Sequence, residues 1–210
     1  IGFPRILLLD GSLIYFRDLR SSCEPFTYVT NVRDDKGFFT GETTSVVDKR
    51  CATVVFDVNG ETIAQAEHIP VHSGVLPWGV KGALKHINKK ELKPGDAIMH
   101  NDPFIGGTHL PDIIIFSPIF FKGELVAFVG NLAHHVDVGG KVPGSLTPDA
   151  TEIFHEGICF PPVKIKKEGK VDPEIFAMFR SNIRTKYESS GDLMAQIAAN
   201  NVGEKRFEEL

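Results

Sequence analysis

The chain has 210 residues, of which 42% are hydrophobic and 24% are charged, and its formal net charge is -4. This composition is sufficient for one sizeable hydrophobic core or two small ones. A net negative charge without a cluster of Lys and Arg gives no electrostatic basis for nucleic-acid binding. No uninterrupted apolar segment approaches the ~20 residues that a membrane span requires. We therefore expect a globular protein of the cytoplasm with no nucleic-acid or membrane partner.

A β-hairpin is predicted near residue 60. Two apolar runs, 52–57 and 61–66, flank an Asn59-Gly60 pair, and both residues of such a pair accept positive φ. The apolar spacing of 76–87 then predicts a helix, and 96–99 predicts a short buried strand.

A second hairpin follows, because the β-like runs 112–121 and 124–132 are separated only by Lys122-Gly123. With Lys122-Gly123 as the turn, regular pairing places Asp112 opposite Ala133. Residues more than twenty apart in sequence then meet at the open end of this hairpin.

The last third of the chain is predicted to change from extended to helical structure. Residues 158–165 contain two prolines and are expected to be extended, whereas 173–184 and 192–210 have helical patterns. Asp172 is the expected N-cap of the first helix. The predicted fold is thus α+β, with antiparallel hairpins in a mixed core, flanking helices and a helical C-terminal segment.

We predict three segments along the chain. Residues 1–42 form a divergent N-terminal segment, 43–165 a β-rich core with the candidate site, and 166–210 a helical segment that belongs to a longer domain.

Imidazoles and carboxylates are concentrated in two short runs at the open end of the second hairpin. The first run covers 101–112 and the second 134–140, and glycines and prolines flank both. Their candidate functional residues are Asp102, His109, Asp112, His134, His135 and Asp137.

Two imidazoles and one carboxylate, such as His109, Asp112 and His134, suit Zn or Mn, with Fe as a third candidate. This set leaves coordination positions open for water or substrate, as a catalytic site requires. A single histidine in a Gly-rich turn more often hydrogen-bonds a loop carbonyl, but three histidines and three aspartates at one place favour metal.

Strand alternation does not select one histidine of the pair. Strict parity groups Asp112 with His135 and Asp137, and His109 with His134, whereas a bulge near the turn would change this grouping. His135, Asp137 and Asp102 are then candidates for orienting the ligands, for a further ligand, or for acid and base catalysis.

Two other patterns indicate no further site. His68 and His72 stand on either side of Pro70, which we expect to make the segment extended, so they are predicted to shape a pocket wall or to have a structural role rather than to form a helical metal pair. The pairs Gly106-Gly107 and Gly139-Gly140 match neither a GxxxxGK[ST] loop nor a GxGxxG turn, so no ATP site is expected in this chain.

Several strings between residue 50 and residue 210 together resemble the hydantoinase B family. This family includes B-type subunits of N-methylhydantoinase, the corresponding half of 5-oxoprolinase, and the large subunits of acetone and acetophenone carboxylases. The resemblance corresponds to the N-terminal portion of these longer proteins. It rests on Asn101-Asp102-Pro103, Gly106-Gly107-Thr108-His109-Leu110-Pro111-Asp112, His134-His135-Val136-Asp137-Val138-Gly139-Gly140, Pro143-Gly144-Ser145 and Ala195-Gln196-Ile197-Ala198-Ala199-Asn200.

The resemblance implies a subunit of an ATP-dependent hydrolase that opens a cyclic amide such as a hydantoin or 5-oxoproline. A hydantoinase A-type partner would bind ATP and Mg, and water on a divalent metal would be the nucleophile. In the carboxylase branch the ligand pattern falls on His109, Asp112 and His134, which selects His134 over its neighbour. His135, Asp137 and Asp102 would then be the catalytic residues that move protons.

We consider two alternative functions beside this one. The chain could belong to an ATP-dependent ketone carboxylase, in which the metal would stabilise an enolate. It could also be a catalytically incomplete subunit that mainly assembles with a larger partner.

Overall fold

The computed structural model describes residues 51–65 and 70–208, together with four strands within the first fifty residues. These four strands form two separate antiparallel hairpins. They are β1 (Arg5–Leu7) with β2 (Leu13–Tyr15), and β3 (Thr27–Arg33) with β4 (Phe39–Val47).

A seven-stranded antiparallel sheet forms the centre of the protein. Its strands are β5 (Cys51–Phe56), β6 (Thr62–Gln65), β7 (Ala97–His100), β8 (Asp112–Phe121), β9 (Glu124–His134), β10 (Val163–Lys167) and β11 (Lys170–Val171). They are arranged in the order β11-β10-β7-β8-β9-β5-β6. Three helices accompany the sheet, α1 (Pro70–Leu84), α2 (Pro173–Asn182) and α3 (Lys186–Glu208). The predicted α+β class with antiparallel hairpins is confirmed. None of the helices in the described ranges has the length and apolarity of a membrane span.

Both faces of the sheet are covered, and β8 contributes buried residues to the packing on each face. Ile114 and Phe116 pack with Leu76 and Val80 of α1 on one face. Ile113 and Ile115 point to the opposite face, where they pack with the following residues of α2 and α3: Phe179, Leu193 and Ile197. A continuous apolar run is what a strand buried on both faces requires.

Buried amides attach α3 to the sheet. Gln196 donates from Nε2 to Ile113 O at 2.8 Å, and Asn200 donates from Nδ2 to Ile115 O at 3.1 Å. Asn131, on β9, donates to Gln196 O and to Asn200 Oδ1, each at 2.8 Å. Because these polar groups satisfy one another, their burial costs little and they set the position of α3.

The predicted turn at Asn59-Gly60 and the predicted N-cap at Asp172 are both confirmed. In the β5–β6 hairpin, the Asp57 carboxylate accepts from Asn59 N and Glu61 N, and Gly60 has φ +82°. Asp172 accepts from Glu174 N and Ile175 N, as an N-cap should.

Two helices start earlier than predicted. α1 begins at Pro70 rather than at 76, since proline is well suited to a first helical turn, where its missing N–H has no partner to lose. α3 begins at Lys186 rather than at 192, and Gly191 lies inside the helix with no atom within 4 Å of an added Cβ.

Asp96 connects β7 to the hairpin formed by β10 and β11. Its carboxylate accepts from Lys93 N at 3.0 Å and Glu168 N at 2.9 Å, and Lys164 Nζ lies 2.7 Å away. The sheet thus continues to Val171, and the predicted segment boundary between 165 and 166 falls inside β10. The division into three segments stays a prediction.

α1 lies very close to its neighbours because it carries glycine at two contacts. A Cβ added at Gly82 would lie 1.6 Å from Ile105 O, and one at Gly79 would lie 2.3 Å from Ile114 Cδ1. Both separations are far inside van der Waals contact. At Gly82 the close atom is a backbone oxygen, so the position of α1 depends on this glycine, whereas at Gly79 the end of the Ile114 side chain would have to move.

We predict that Gly82→Ala lowers the free energy of unfolding by about 2 to 4 kcal/mol, because the helix or the loop at Ile105 must move. Gly74→Ala is the matched control on the same helix, since Gly74 is exposed with no atom within 4 Å of an added Cβ. This control should be neutral or stabilising by up to about 1 kcal/mol. Urea denaturation measures both, and equal effects of the two substitutions would contradict the close approach.

Candidate metal centre

Three donor atoms converge where β8 begins and β9 ends. His109 Nε2 and His134 Nδ1 each lie 2.8 Å from Asp112 Oδ1, and the two nitrogens are 3.1 Å apart. The imidazole rings are stacked, with centroids separated by 4.9 Å. Within the described ranges, these are the three potential metal ligands whose donor atoms all lie within 4.8 Å of one another.

A bulge in β9 sets the register of the hairpin that carries these residues. Phe121 pairs with Glu124 beside the turn, as predicted. Farther along, Ile119 pairs with Ala127, so β9 holds one extra residue, Val126, opposite the step from Ile119 to Phe120.

The extra residue places Asp112 opposite His134. The predicted pairing of Asp112 with Ala133 is therefore wrong by one residue. A shift of one residue exchanges the two faces of a strand, so His134 shares a face with Asp112 and His135 is turned to the other face. Strict alternation along the two strands, without the bulge, would have placed His135 rather than His134 on the face of Asp112.

The loop before β8 is held in place by Asn101, which is fully buried. Its Nδ2 donates to Leu110 O at 2.7 Å and to Ile158 O at 2.9 Å, and its Oδ1 accepts from Phe160 N at 2.7 Å. Gly106 has φ +124°, a conformation that favours glycine, and completes the bend that leads to His109.

Asp112 is the buried member of the cluster, with a side chain that is 3% exposed, against 32% for His109 and 23% for His134. Burial alone would raise the pKa of Asp112, but hydrogen bonds from His109, His134, His72 and Thr108 outweigh it and hold that pKa far below its ordinary value. The hydrogen bond to Asp112 raises the pKa of His109 against the opposing effect of burial. The carboxylate is therefore anionic, and its charge is directed at the two imidazoles.

The second oxygen of Asp112 has different neighbours. Its Oδ2 accepts from the Thr108 hydroxyl and lies 3.4 Å from His72 Nε2. His72 reaches it from the first turn of α1, so the expectation of extended structure is wrong from Pro70 onwards. His68 lies outside the described residues.

His135 is directed away from the cluster. It is fully buried, its Nε2 lies 2.9 Å from Gln196 Oε1, and its ring meets Phe179 edge to face at 5.8 Å between centroids. A catalytic role for His135 stays a prediction, and these contacts with α2 and α3 do not favour it.

Asp137 holds the loop that follows β9. Its carboxylate accepts from the backbone N–H groups of Gly139, Gly144 and Arg184, and from Arg184 Nη1 at 2.9 Å. The same guanidinium donates to Gly139 O and Gly140 O. Both carboxylate oxygens are thus engaged, and the predicted catalytic role stays untested.

Asp102, the third predicted catalytic residue, caps the short 3-10 turn at Pro103–Ile105. Its Oδ1 accepts from Phe104 N at 2.9 Å. It does not belong to the cluster of converging donors.

Thr108, Gln196 and Arg184 hydrogen-bond to predicted site residues, and the sequence did not reveal these contacts. Thr108 stands four residues before Asp112 in the motif, and that spacing was the available signal. Gln196 and Arg184 reach their partners across 61 and 47 residues of sequence, and a single sequence carries no signal for such contacts.

The donor set is suitable for a divalent metal ion. Three atoms bonded to one ion at about 2.1 Å lie roughly 3.0 to 3.4 Å apart. The observed separations of 2.8 to 3.1 Å differ from this range by only a few tenths of an ångström. Two imidazoles and one carboxylate also leave positions open for other ligands.

The sequence matches the family described as Hydantoinase B/oxoprolinase over residues 43–210. The chain belongs to this family. The resemblance stated from the motifs is confirmed, and members of the family include enzymes.

Several relatives in the hydantoinase B/oxoprolinase family are substantially similar to the chain. An uncharacterised protein of Methanocaldococcus jannaschii, MJ0963, is 45% identical over 78% of this chain and 29% of its own length. The beta subunit of the caprolactamase of Pseudomonas jessenii is 38% identical over 76% of this chain and 27% of its own length. The 5-oxoprolinase of Saccharomyces cerevisiae is 39% identical over 75% of this chain and 13% of its own length. The chain therefore spans less than a third of the length of these relatives.

Solved structures show the same fold. The crystal structure of the ATP-dependent caprolactamase from Pseudomonas jessenii superposes with a TM-score of 0.74 at 32% identity, over 92% of this chain and 31% of that one. Acetone carboxylase superposes with a TM-score of 0.72 at 23% identity, over 76% and 21% of the respective chains, which shows a shared fold.

For this family member, we predict that Asp137→Asn lowers the free energy of unfolding at pH 7 by about 3 kcal/mol, because an uncharged amide cannot satisfy Arg184 and three N–H groups. Burial would raise the pKa of Asp137, but hydrogen bonds from Arg184, Gly144 and Gly139 lower it below its ordinary 3.8. The carboxylate therefore stabilises the protein above pH 3.8, and this contribution is lost as the pH falls through the lower folded pKa.

Urea denaturation at pH 7, 5 and 3 tests this prediction. The difference between wild type and Asp137→Asn should be full at pH 7 and 5 and should shrink towards pH 3. Asp149→Asn, at an exposed carboxylate in the same loop, should leave stability nearly unchanged at all three values. A difference that does not depend on pH would contradict the ionic role of Asp137.

Proposed function

We propose that this chain contributes the metal site of a B-type component of an ATP-dependent cyclic amidohydrolase. The substrate class is a cyclic amide such as a hydantoin, 5-oxoproline or a related lactam. The observation that carries the proposal is the convergence of His109, Asp112 and His134, with all donor atoms within 4.8 Å of one another. The relatives named caprolactamase and 5-oxoprolinase support the reaction class.

We assign His109, Asp112 and His134 as the ligands of a divalent cation, with Zn or Mn preferred over Fe. Such an ion, when bound, supplies Lewis acidity and lowers the pKa of water towards neutrality. The buried carboxylate closes one side of the site, while the partly exposed imidazoles of His109 and His134 form the side that substrate can approach.

ATP and Mg belong, in this proposal, to a partner of hydantoinase A type. The sequence of this chain has no Gly-rich phosphate loop, and two relatives are named as single subunits of a caprolactamase and of a hydantoinase. The partner would transfer the γ-phosphoryl group of ATP to the amide oxygen of the substrate. Since ATP is supplied in the cytoplasm, we place the complex there.

Phosphorylation of the amide oxygen makes the carbonyl carbon a better electrophile. Water then attacks that carbon at the His109–His134 side and loses a proton, and the ring C–N bond breaks as the nitrogen takes up a proton and leaves as an amine. This step leaves an acyl phosphate, which a second water hydrolyses to the free carboxylate and inorganic phosphate. His135, Asp137 and Asp102 stay as predicted proton-transfer residues, although their contacts favour structural roles for the first two.

We predict that the chain, reconstituted with its A-type partner, hydrolyses ATP faster when a cyclic amide is present. His109→Ala should reduce this stimulated rate by about 100-fold or more and should abolish stoichiometric metal, because one of three ligands is lost. His86→Ala is the matched control, since His86 is an exposed histidine.

Hydantoins, 5-oxoproline, a lactam, and ketones with bicarbonate are compared in the same assay. Stimulation by ketones alone would replace the hydrolase with the carboxylase function. No stimulation by any compound would favour a role in assembly alone. Absence of stoichiometric metal from both wild type and His109→Ala would contradict the metal site.

A further inference from the structure

We propose that His72, together with Thr108, positions Asp112 by holding its Oδ2 atom, so that the carboxylate offers a single oxygen to the divalent cation. The inference rests on the proposed metal site and adds two residues that act through Asp112. His72 belongs to α1 and Thr108 to the loop before β8, so two separate elements orient one ligand.

The two oxygens of Asp112 lie in different surroundings. Oδ1 faces the partly exposed side, where His109 Nε2 and His134 Nδ1 each lie 2.8 Å away. Oδ2 faces the interior, where it meets the Thr108 hydroxyl and His72 Nε2 at 3.4 Å. The His72 side chain is 8% exposed, so this side is closed to solvent.

The chemistry of the groups determines the direction of the hydrogen bonds. A carboxylate oxygen accepts, so the Thr108 hydroxyl donates to Oδ2, and His72 Nε2, which lies 3.4 Å from the same oxygen, faces it as an N–H group. His72 Nδ1 is buried, and no group of the described residues hydrogen-bonds to it, which fits a nitrogen without a proton better than a second N–H donor. The geometry thus favours the tautomer of His72 that carries its proton on Nε2.

His72 does not fit the role of a fourth ligand. The converging donor atoms in the described part of the chain come from His109, Asp112 and His134, and His72 is not among them. It contacts the oxygen opposite to the one that the other two histidines approach. His72 therefore lies on the Oδ2 side of the carboxylate, away from the oxygen that His109 and His134 contact.

Holding Oδ2 has two consequences for metal binding. The terminal torsion of an aspartate is broad, so a carboxylate without partners on one oxygen can rotate and lose its alignment. With Oδ2 occupied by donors, Asp112 binds through Oδ1 only, and the coordination position that a second oxygen would use stays available for water or substrate. Partners that orient a ligand in this way are typically worth roughly 10-fold to 100-fold in metal affinity.

The test is the dissociation constant for Zn²⁺ and for Mn²⁺, measured by competition with a chromogenic chelator on the purified protein. We expect His72→Leu and Thr108→Val each to weaken binding by roughly 10-fold to 100-fold. His72→Gln keeps an N–H donor and should recover most of the wild-type affinity. His86→Gln, at an exposed histidine just beyond α1, should leave the affinity unchanged.

The outcomes separate this inference from the proposed function. If wild type binds neither metal, the metal site itself is wrong. If wild type binds and His72→Leu and Thr108→Val bind as tightly, the positioning role is wrong and the site stands. Equal weakening by His72→Leu and His72→Gln would also overturn it, because a donor would then not suffice. Circular dichroism shows whether each variant folds. If a His72 variant does not fold, the metal affinity of Thr108→Val tests the positioning role.

Discussion

Asp112 meets His134 because β9 carries one residue more than β8 between the turn and the open end of their hairpin. A bulge of this kind changes which face every later side chain occupies. Here it directs His134 to the face of Asp112 and leaves His135 to pack with Gln196 and Phe179 on the other. The candidate metal site and the anchoring of α3 therefore depend on the same extra residue.

The helices on the two faces of the sheet constrain the start of β8 in different ways. On one face, α1 approaches through Gly79 and Gly82 and brings His72 to the interior oxygen of Asp112. On the other face, buried amides fix α3 against the carbonyl groups of β8, including that of Ile113, which directly follows Asp112. The carboxylate thus begins a strand that is constrained from both sides, while the two imidazoles keep partial contact with solvent. A carboxylate that is held from both sides suits a ligand that has to keep its orientation.

Features that depend on short-range preferences could be predicted from the sequence. The bulge and the start of α1 could not. The Asn59-Gly60 turn, the Asp172 cap and the strands of the second hairpin follow from short-range preferences, and the structure agrees with them. The bulge has no such signature, because Val126 is as good a strand residue as its neighbours. The start of α1 at Pro70 was missed because proline suits both an extended segment and a first helical turn. Only the family resemblance selected His134.

The most direct test of the account is the metal content of His134→Ala and His135→Ala, measured by mass spectrometry on folded protein beside wild type. The two residues are adjacent in sequence and lie on opposite faces of the hairpin. We predict about one equivalent of metal in wild type and in His135→Ala, and almost none in His134→Ala. Loss of metal from His135→Ala with retention in His134→Ala would contradict the register of β8 and β9 and the site built on it.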